Sequence, residues 1–191
     1  SIDDAVEQYK RDRNPNEKIF RTCFVHFAMS TEQIKMSTKL DKLKTVFLPF
    51  NKDLINPQPP NDYQTSYLYR EILTKDILSD LISNYIFIEK DEKSKKSKLI
   101  FPRFHQLECS RDLIHDAAPG KDYLVQHSAG SGKTKTMAWL AHGLINKNDS
   151  SNNRVFDMIV VVSDRKIIDK QLYEQISSFQ KIIGVVKKIE D

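Results

Sequence analysis

Glycine is scarce in this chain, with five in 191 residues against an average usage near 7%. Two of the five, Gly130 and Gly132, stand two positions apart, which marks one place where the backbone needs a conformation other residues resist. Cysteine is rarer still. Cys23 and Cys109 show no CxxC spacing, which excludes a disulfide framework or a zinc knuckle and fits a reducing compartment. Long apolar runs are missing: the most continuous aliphatic stretch, 158–162, falls far short of the roughly 20 residues that span a bilayer. Asp3 and Asp4 occupy the region where a secretory signal carries positive charge. The reading is a cytoplasmic protein without a membrane partner. No block of one charge sign separates the halves either: residues 1–100 carry 17 basic and 15 acidic side chains, residues 101–191 carry 13 and 11. With 39% hydrophobic and 29% charged residues, the composition is that of a globular protein and excludes wholesale disorder.

Proline is uneven, with all seven residues before position 120, and it separates an irregular first part from a regular second part. Residues 3–13 read as a short helix stopped by Asn14-Pro15-Asn16. β-rich runs at 22–29, 33–37 and 45–49 predict an antiparallel meander. After a proline-stiffened loop at 56–62, Leu68, Ile72, Ile77, Leu81 and Ile82 recur near helical spacing and predict an amphipathic helix to about Tyr85. Residues 89–98, with five lysines among ten, read as a solvated connector. From Phe101 the pattern alternates: helix 103–117, strand 123–127, helix 133–146, strand 155–162, helix 165–178, strand 182–186. Such alternation predicts a parallel sheet with crossover helices.

The strongest chemical signal is Gly130-Ser131-Gly132-Lys133-Thr134, after one predicted strand and before one predicted helix. Glycines let backbone N–H groups turn inward around phosphate oxygens, and the helix presents its positive end. Lys133 reaches the terminal phosphates and the Thr134 hydroxyl can ligate Mg²⁺. ATP and Mg²⁺ are therefore the expected cofactors, with Gly130, Ser131, Gly132, Lys133 and Thr134 as binding residues. The full phosphate-loop pattern begins with glycine, and here that position is His127.

Further along, an apolar strand ends in Ser163-Asp164-Arg165. Asp164 has two readings, a magnesium-holding acid or the end of a strand facing nucleic acid. The first fits poorly, because this is the first strand after the loop helix and Arg165 stands where a catalytic Glu belongs, and the segment resembles the Ia motif of helicases, whose strand end faces nucleic acid. By that resemblance Asp164, Arg165 and Gln171 are candidate DNA contacts.

Helicase-type ATPases often carry alanine where this loop has His127, so the departure resembles theirs. Arg103-Phe104-His105-Gln106 resembles the segment that, in superfamily 2 helicases, reads adenine about two dozen residues before the loop, since an amide both gives and accepts hydrogen bonds. Gln106 takes that role by resemblance. Read together, AVEQYKRDRNP at 5–15, RTCFVHFA at 21–28, FLPFN at 47–51, IFPRFHQ at 100–106 and QHSAGSGKT at 126–134, followed by AWLAH at 138–142, are very similar to the R (motor and nuclease) subunit of type I restriction enzymes. The resemblance covers essentially the whole chain. It implies a nuclease domain followed by RecA-like motor domains that use ATP to pull double-stranded DNA past the specificity and methyltransferase subunits before cleavage.

The expected fold is α/β: residues 1–98 as the C-terminal part of the nuclease domain and a linker, residues 99–191 as the start of the first RecA-like motor domain, a partial P-loop parallel sheet. No E-x-K string occurs, and Asp91-Glu92-Lys93 lies in the charged connector. No complete catalytic set is therefore expected here, and the chain alone is expected to be inactive. The alternatives are a stand-alone P-loop switch or kinase with an accessory β domain, and a docking module whose loop is incidental. Gln8 and Tyr9 do not fit a Q-x-x-x-Y motif, and the roles of Gln8 and His127 stay open.

Overall fold

The computed structural model describes residues 1–90, 97–163, 172–177 and 186–187. The chain is mixed α/β and divides into two compact units, Ser1–His105 and Gln106–Asp191.

In the first unit, helix α1 (Ile2–Glu7) is started by Ser1, whose hydroxyl accepts the Asp4 N–H while the Asp4 carboxylate reaches back to the N-terminus. It continues as a π-turn over Gln8–Asp12. Arg13, preceding Asn14 and Pro15, is extended and ends it. Tyr9 is structural: its hydroxyl donates to the Phe27 carbonyl at 3.3 Å, and its ring meets Phe20, His26 and Phe47. After the short α2 (Lys18–Arg21), strands β1 (His26–Met29), β2 (Ile34–Ser37) and β3 (Leu48–Pro49) form the expected antiparallel meander in the order β1-β2-β3. Its register pairs His26 with Ser37 and Met29 with Ile34. Alternation puts Ile34 and Met36 inward.

The core is aromatic. Phe50 lies 5.1 Å from Phe27 and 5.7 Å from Phe104, centroid to centroid, and the buried Tyr67 donates its hydroxyl to the Phe50 carbonyl at 2.6 Å. Burial pushes the Tyr67 phenol well above its ordinary pKa. The loop after β3 is held by amides: Asn51 Oδ1 accepts the Ile34 N–H, and Asn56 donates to the Glu32 carbonyl.

The single helix expected from Leu68 to Tyr85 is three pieces: a π-turn Leu68–Ile72, α3 (Lys75–Asp80) and a second π-turn Leu81–Tyr85. Thr74 is extended and starts α3 anew; a residue that favours capping positions interrupts an otherwise continuous apolar pattern. The 89–98 connector is also corrected. Strands β4 (Phe87–Lys90) and β5 (Ser97–Ile100) pair as an antiparallel hairpin, Phe87 opposite Ile100 and Glu89 opposite Lys98. Opposite charges face across the ladder, which favours the pairing. Asp91, Glu92 and Lys93 lie outside the described residues.

Helix α4 (Phe104–Asp116), which belongs to the second unit from Gln106 on, and α5 (Lys133–Ile145) match the helices expected at 103–117 and 133–146. They run side by side in the same direction: Gln106 meets Gly132, Ile114 faces Gly143, and Lys147 reaches His115 and Ala117. A Cβ on Gly143 would collide with the Ile114 side chain, so glycine there sets how closely the helices approach. Two parallel neighbours require a return segment. A 13-residue helix is about 20 Å long, a span that some six extended residues cover, and residues 121–128, in neither helix nor ladder, supply the return.

That path is not a strand. Residues 123–127 and 155–162, expected as strands of a parallel sheet, carry no ladder among the described residues. Leu124 is 93% exposed and Val162 86%. A strand exists only through hydrogen bonds to a neighbour, and apolar alternation does not supply one. The sheets among the described residues are antiparallel. The expected strand 182–186 and most of the helix 165–178 lie outside the described residues; 172–177 are helical. No helix among the described residues is long and apolar enough to cross a membrane.

Lys147 closes α4. Its ammonium donates to the carbonyls of His115 at 2.8 Å and Ala117 at 2.6 Å, acceptors that a helix end otherwise leaves unsatisfied. Lys147→Met is expected to lower stability by about 1–2 kcal/mol, read as a lower urea midpoint at unchanged m-value.

Candidate functional site

The site begins at the turn between the return segment and α5. Gly130 has φ +75° and Gly132 φ +87°, the left-handed region that side chains resist. Gly132 occupies the N-cap of α5 and no side chain caps this helix. The consequence is a set of open donors. Among the described residues, the backbone N–H groups of Ala129, Gly130, Gly132, Lys133 and Thr134 meet no acceptor, while Ser131 N–H donates to the Ser128 carbonyl at 3.3 Å. Clustered N–H groups at the positive end of a 13-residue helix suit an anion with several oxygens.

Lys133 supplies the mobile charge. Its ammonium bridges the carbonyls of His127 and Ser128 at 3.0 and 2.9 Å, on the concave side of the turn, where it can exchange those dipoles for phosphate oxygens. The half-buried Thr134 hydroxyl makes no hydrogen bond among the described residues, and it stands one residue past the lysine as a magnesium ligand requires. The chain thus fits Mg²⁺ and a polyphosphate through five N–H donors, one ammonium and one hydroxyl. A protein-only cluster of three or more His, Cys, Asp or Glu able to hold a metal does not occur among the described residues. His127 contributes its carbonyl to Lys133, and its ring is half-buried.

Gln106 sits where a contact with this loop is made. It is 4% exposed, and its amide nitrogen donates to the Ser131 carbonyl at 3.3 Å and the Gly132 carbonyl at 3.0 Å. A Cβ on Gly132 would stand 2.5 Å from that nitrogen, so glycine at 132 answers both a backbone angle and a close neighbour. This bracing from 26 positions away has no signal in the sequence beyond a glutamine on a helix. Below the loop, Ser110 Oγ donates to the Gln106 carbonyl at 2.6 Å, and Trp139, Ala138 and Ala141 bury the inner side of α5. His142 Nε2 lies 3.0 Å from the Ile176 carbonyl. Burial lowers the His142 pKa from its ordinary value and the bond partly opposes it. The structure thus brings Gln106, Gly130, Ser131, Gly132, Lys133 and Thr134 together. Asp164, Arg165 and Gln171 lie outside the described residues.

The SWI2/SNF2 ATPase family model matches residues 105–190. Two proteins of Methanocaldococcus jannaschii, named as type I restriction enzyme endonuclease subunits MjaVIIIP and MjaVIIP, are each 32% identical to the chain, over 117 and 202 aligned positions. These alignments take in 58% and 98% of this chain but 11% and 18% of the relatives, so the chain spans less than a fifth of their length. No solved structure gives a significant match. With its matched segment starting beside Gln106 and containing Gly130 to Thr134, the chain is similar to the endonuclease subunits of type I restriction enzymes, and its residues 105–190 are similar to the SWI2/SNF2 ATPase family.

Proposed function

We propose that the chain belongs to the ATP-dependent subunit that translocates and cleaves double-stranded DNA in a type I restriction-modification complex. The observation that carries this reading is the phosphate loop itself: open N–H donors, the Lys133 ammonium and the Thr134 hydroxyl converge at the start of α5. In this reading residues 1–98 end the nuclease domain and residues 99–191 open the first RecA-like motor domain. The parallel helix pair with a return between its members supports a domain built around a parallel sheet; in this reading residues 123–127 and 155–162 are strands of that sheet once neighbours pair with them.

Lys133 leaves the His127 and Ser128 carbonyls for the terminal phosphates of ATP, and Thr134 joins the coordination of Mg²⁺. Gln106 turns its amide to adenine once its loop carbonyls are released. Asp164, Arg165 and Gln171 face DNA. The specificity and methyltransferase subunits supply site recognition, and the complex works in the cytoplasm. Residues 1–191 by themselves bind Mg²⁺-nucleotide without turning it over or cutting DNA.

The test is ATP consumption by the full-length subunit assembled with its partners on linear DNA carrying one recognition site. ATP used per initiation event is expected to rise in proportion to the length of DNA beside the site. Consumption independent of length overturns the translocase reading.

A further inference from the structure

The net charge of the chain is +4, yet residues 10–44 alone carry nine Lys or Arg against four Asp or Glu. The balance of this window, +5, therefore accounts for all of the excess. The fold gathers part of it around one cleft of the first unit. Arg21 at the end of α2, with Lys39 and Lys42 after β2, lines a cavity of about 460 Å³ together with the turn at Pro15 and Asn16. Asp41 is the one carboxylate in its lining.

Two features mark these cations. First, they stand unpaired where several cations outside the lining are paired: Arg11 with Glu7, Lys35 with Asp3, Lys52 with Glu71, Arg70 with Asp62. Arg21, Lys39 and Lys42 have no carboxylate within ion-pairing distance among the described residues. Second, Lys42 has φ +46°, a left-handed backbone that a long side chain adopts at a cost. The turn that forces it is tight: Asp41 N–H donates to Thr45 Oγ1 at 2.7 Å, and Thr45 N–H to the Lys42 carbonyl at 3.0 Å. Glycine or asparagine would fit this angle better, so a lysine there spends stability on presenting an ammonium.

We propose that Arg21, Lys39 and Lys42 form a cradle for the phosphodiester backbone of duplex DNA, a second anion site separate from the phosphate loop. An extended polyanion is favoured over a single phosphate because cations flank the lining residues in sequence: Arg13, Lys18 and Lys44 are likewise without an ion-pair partner among the described residues. The identification of the polyanion as DNA rests on the function proposed above; the cradle rests on the cleft.

The test is binding of a 30-base-pair duplex of arbitrary sequence to the chain without nucleotide, by fluorescence anisotropy between 50 and 200 mM salt. Each lost phosphate contact lowers the slope of log K against log salt by about 0.9. The triple change Arg21→Gln, Lys39→Gln, Lys42→Gln is expected to reduce that slope by two to three and affinity at 100 mM salt by about 100-fold. The equal charge change Lys75→Gln, Lys98→Gln, Arg154→Gln is expected to weaken binding less than about threefold. Lys42→Gly separates a structural role from a binding one: the backbone angle suits glycine, so the denaturation midpoint should hold or rise while duplex affinity falls severalfold. The duplex is measured without nucleotide, so a failure of the ATP reading stays distinguishable from a failure of this one. Unaltered affinity in the triple variant, an equal loss in the control triple, wild-type chain that binds no duplex at 50 mM salt, or polyglutamate competing as well as duplex each overturns the cradle.

Discussion

Lys133→Ala in the full-length subunit is expected to cut ATP turnover by about 10²–10³-fold while the fold survives. The side chain is exposed, and its bonds run to two loop carbonyls that solvent can also satisfy, so little folding energy rests on it. Against a polyphosphate the same ammonium is charge-assisted and faces charge that builds as the terminal phosphoryl group moves. Removing one such donor from a transition state typically costs about 2.7–4 kcal/mol. Steady-state ATP hydrolysis with saturating DNA measures the loss, with circular dichroism as the check on folding. Turnover within threefold of the unaltered subunit sinks the phosphate-loop assignment.

Gly132→Ala is expected to be the most damaging single methyl group in the second unit, at about 2–4 kcal/mol. Two causes add. Alanine at φ +87° carries roughly 1–2 kcal/mol of left-handed strain. The new Cβ would also drive the Gln106 amide off the Ser131 and Gly132 carbonyls, losing one buried and one part-buried hydrogen bond at about 1 kcal/mol each. A double-mutant cycle apportions them: in a Gln106→Ala background the clash is gone, and Gly132→Ala should then cost only its strain. Urea unfolding of the four proteins supplies the values. A Gly132→Ala midpoint within about 0.5 kcal/mol of the original contradicts the account, and equal costs in both backgrounds contradict the contact.

What the sequence made legible follows the range of the forces involved. The limits of α4 and α5 lie within a residue of expectation, because the Pro-Arg start, the glycine pair and the apolar spacing are local. The meander was legible in kind, but Thr22 to Val25 fall outside β1 because strand length depends on the partner strand. The β4–β5 hairpin was not legible: Glu89, Lys90, Ser97 and Lys98 lack the apolar alternation that marks a strand, and cross-strand pairing with Glu89 opposite Lys98 is a nonlocal fact. Residues 123–127 show the reverse, a strand pattern whose backbone pairs with no neighbour among the described residues. At the site, identities were readable and relationships were not. Gly130 through Thr134 announce a phosphate loop by composition, whereas the pairing of Gln106 with that loop depends on two parallel helices lying side by side.

That helix pair is fastened at both ends. Gln106 ties the first turn of α4 to the start of α5, Lys147 ties the end of α5 to the end of α4, and Gly143 seats Ile114 between them. An axle pinned at two bearings can neither slide nor telescope. Sliding α5 one ridge along α4 would break both fastenings at once, so the two helices keep one register from the loop to the turn that Lys147 holds, some 20 Å away.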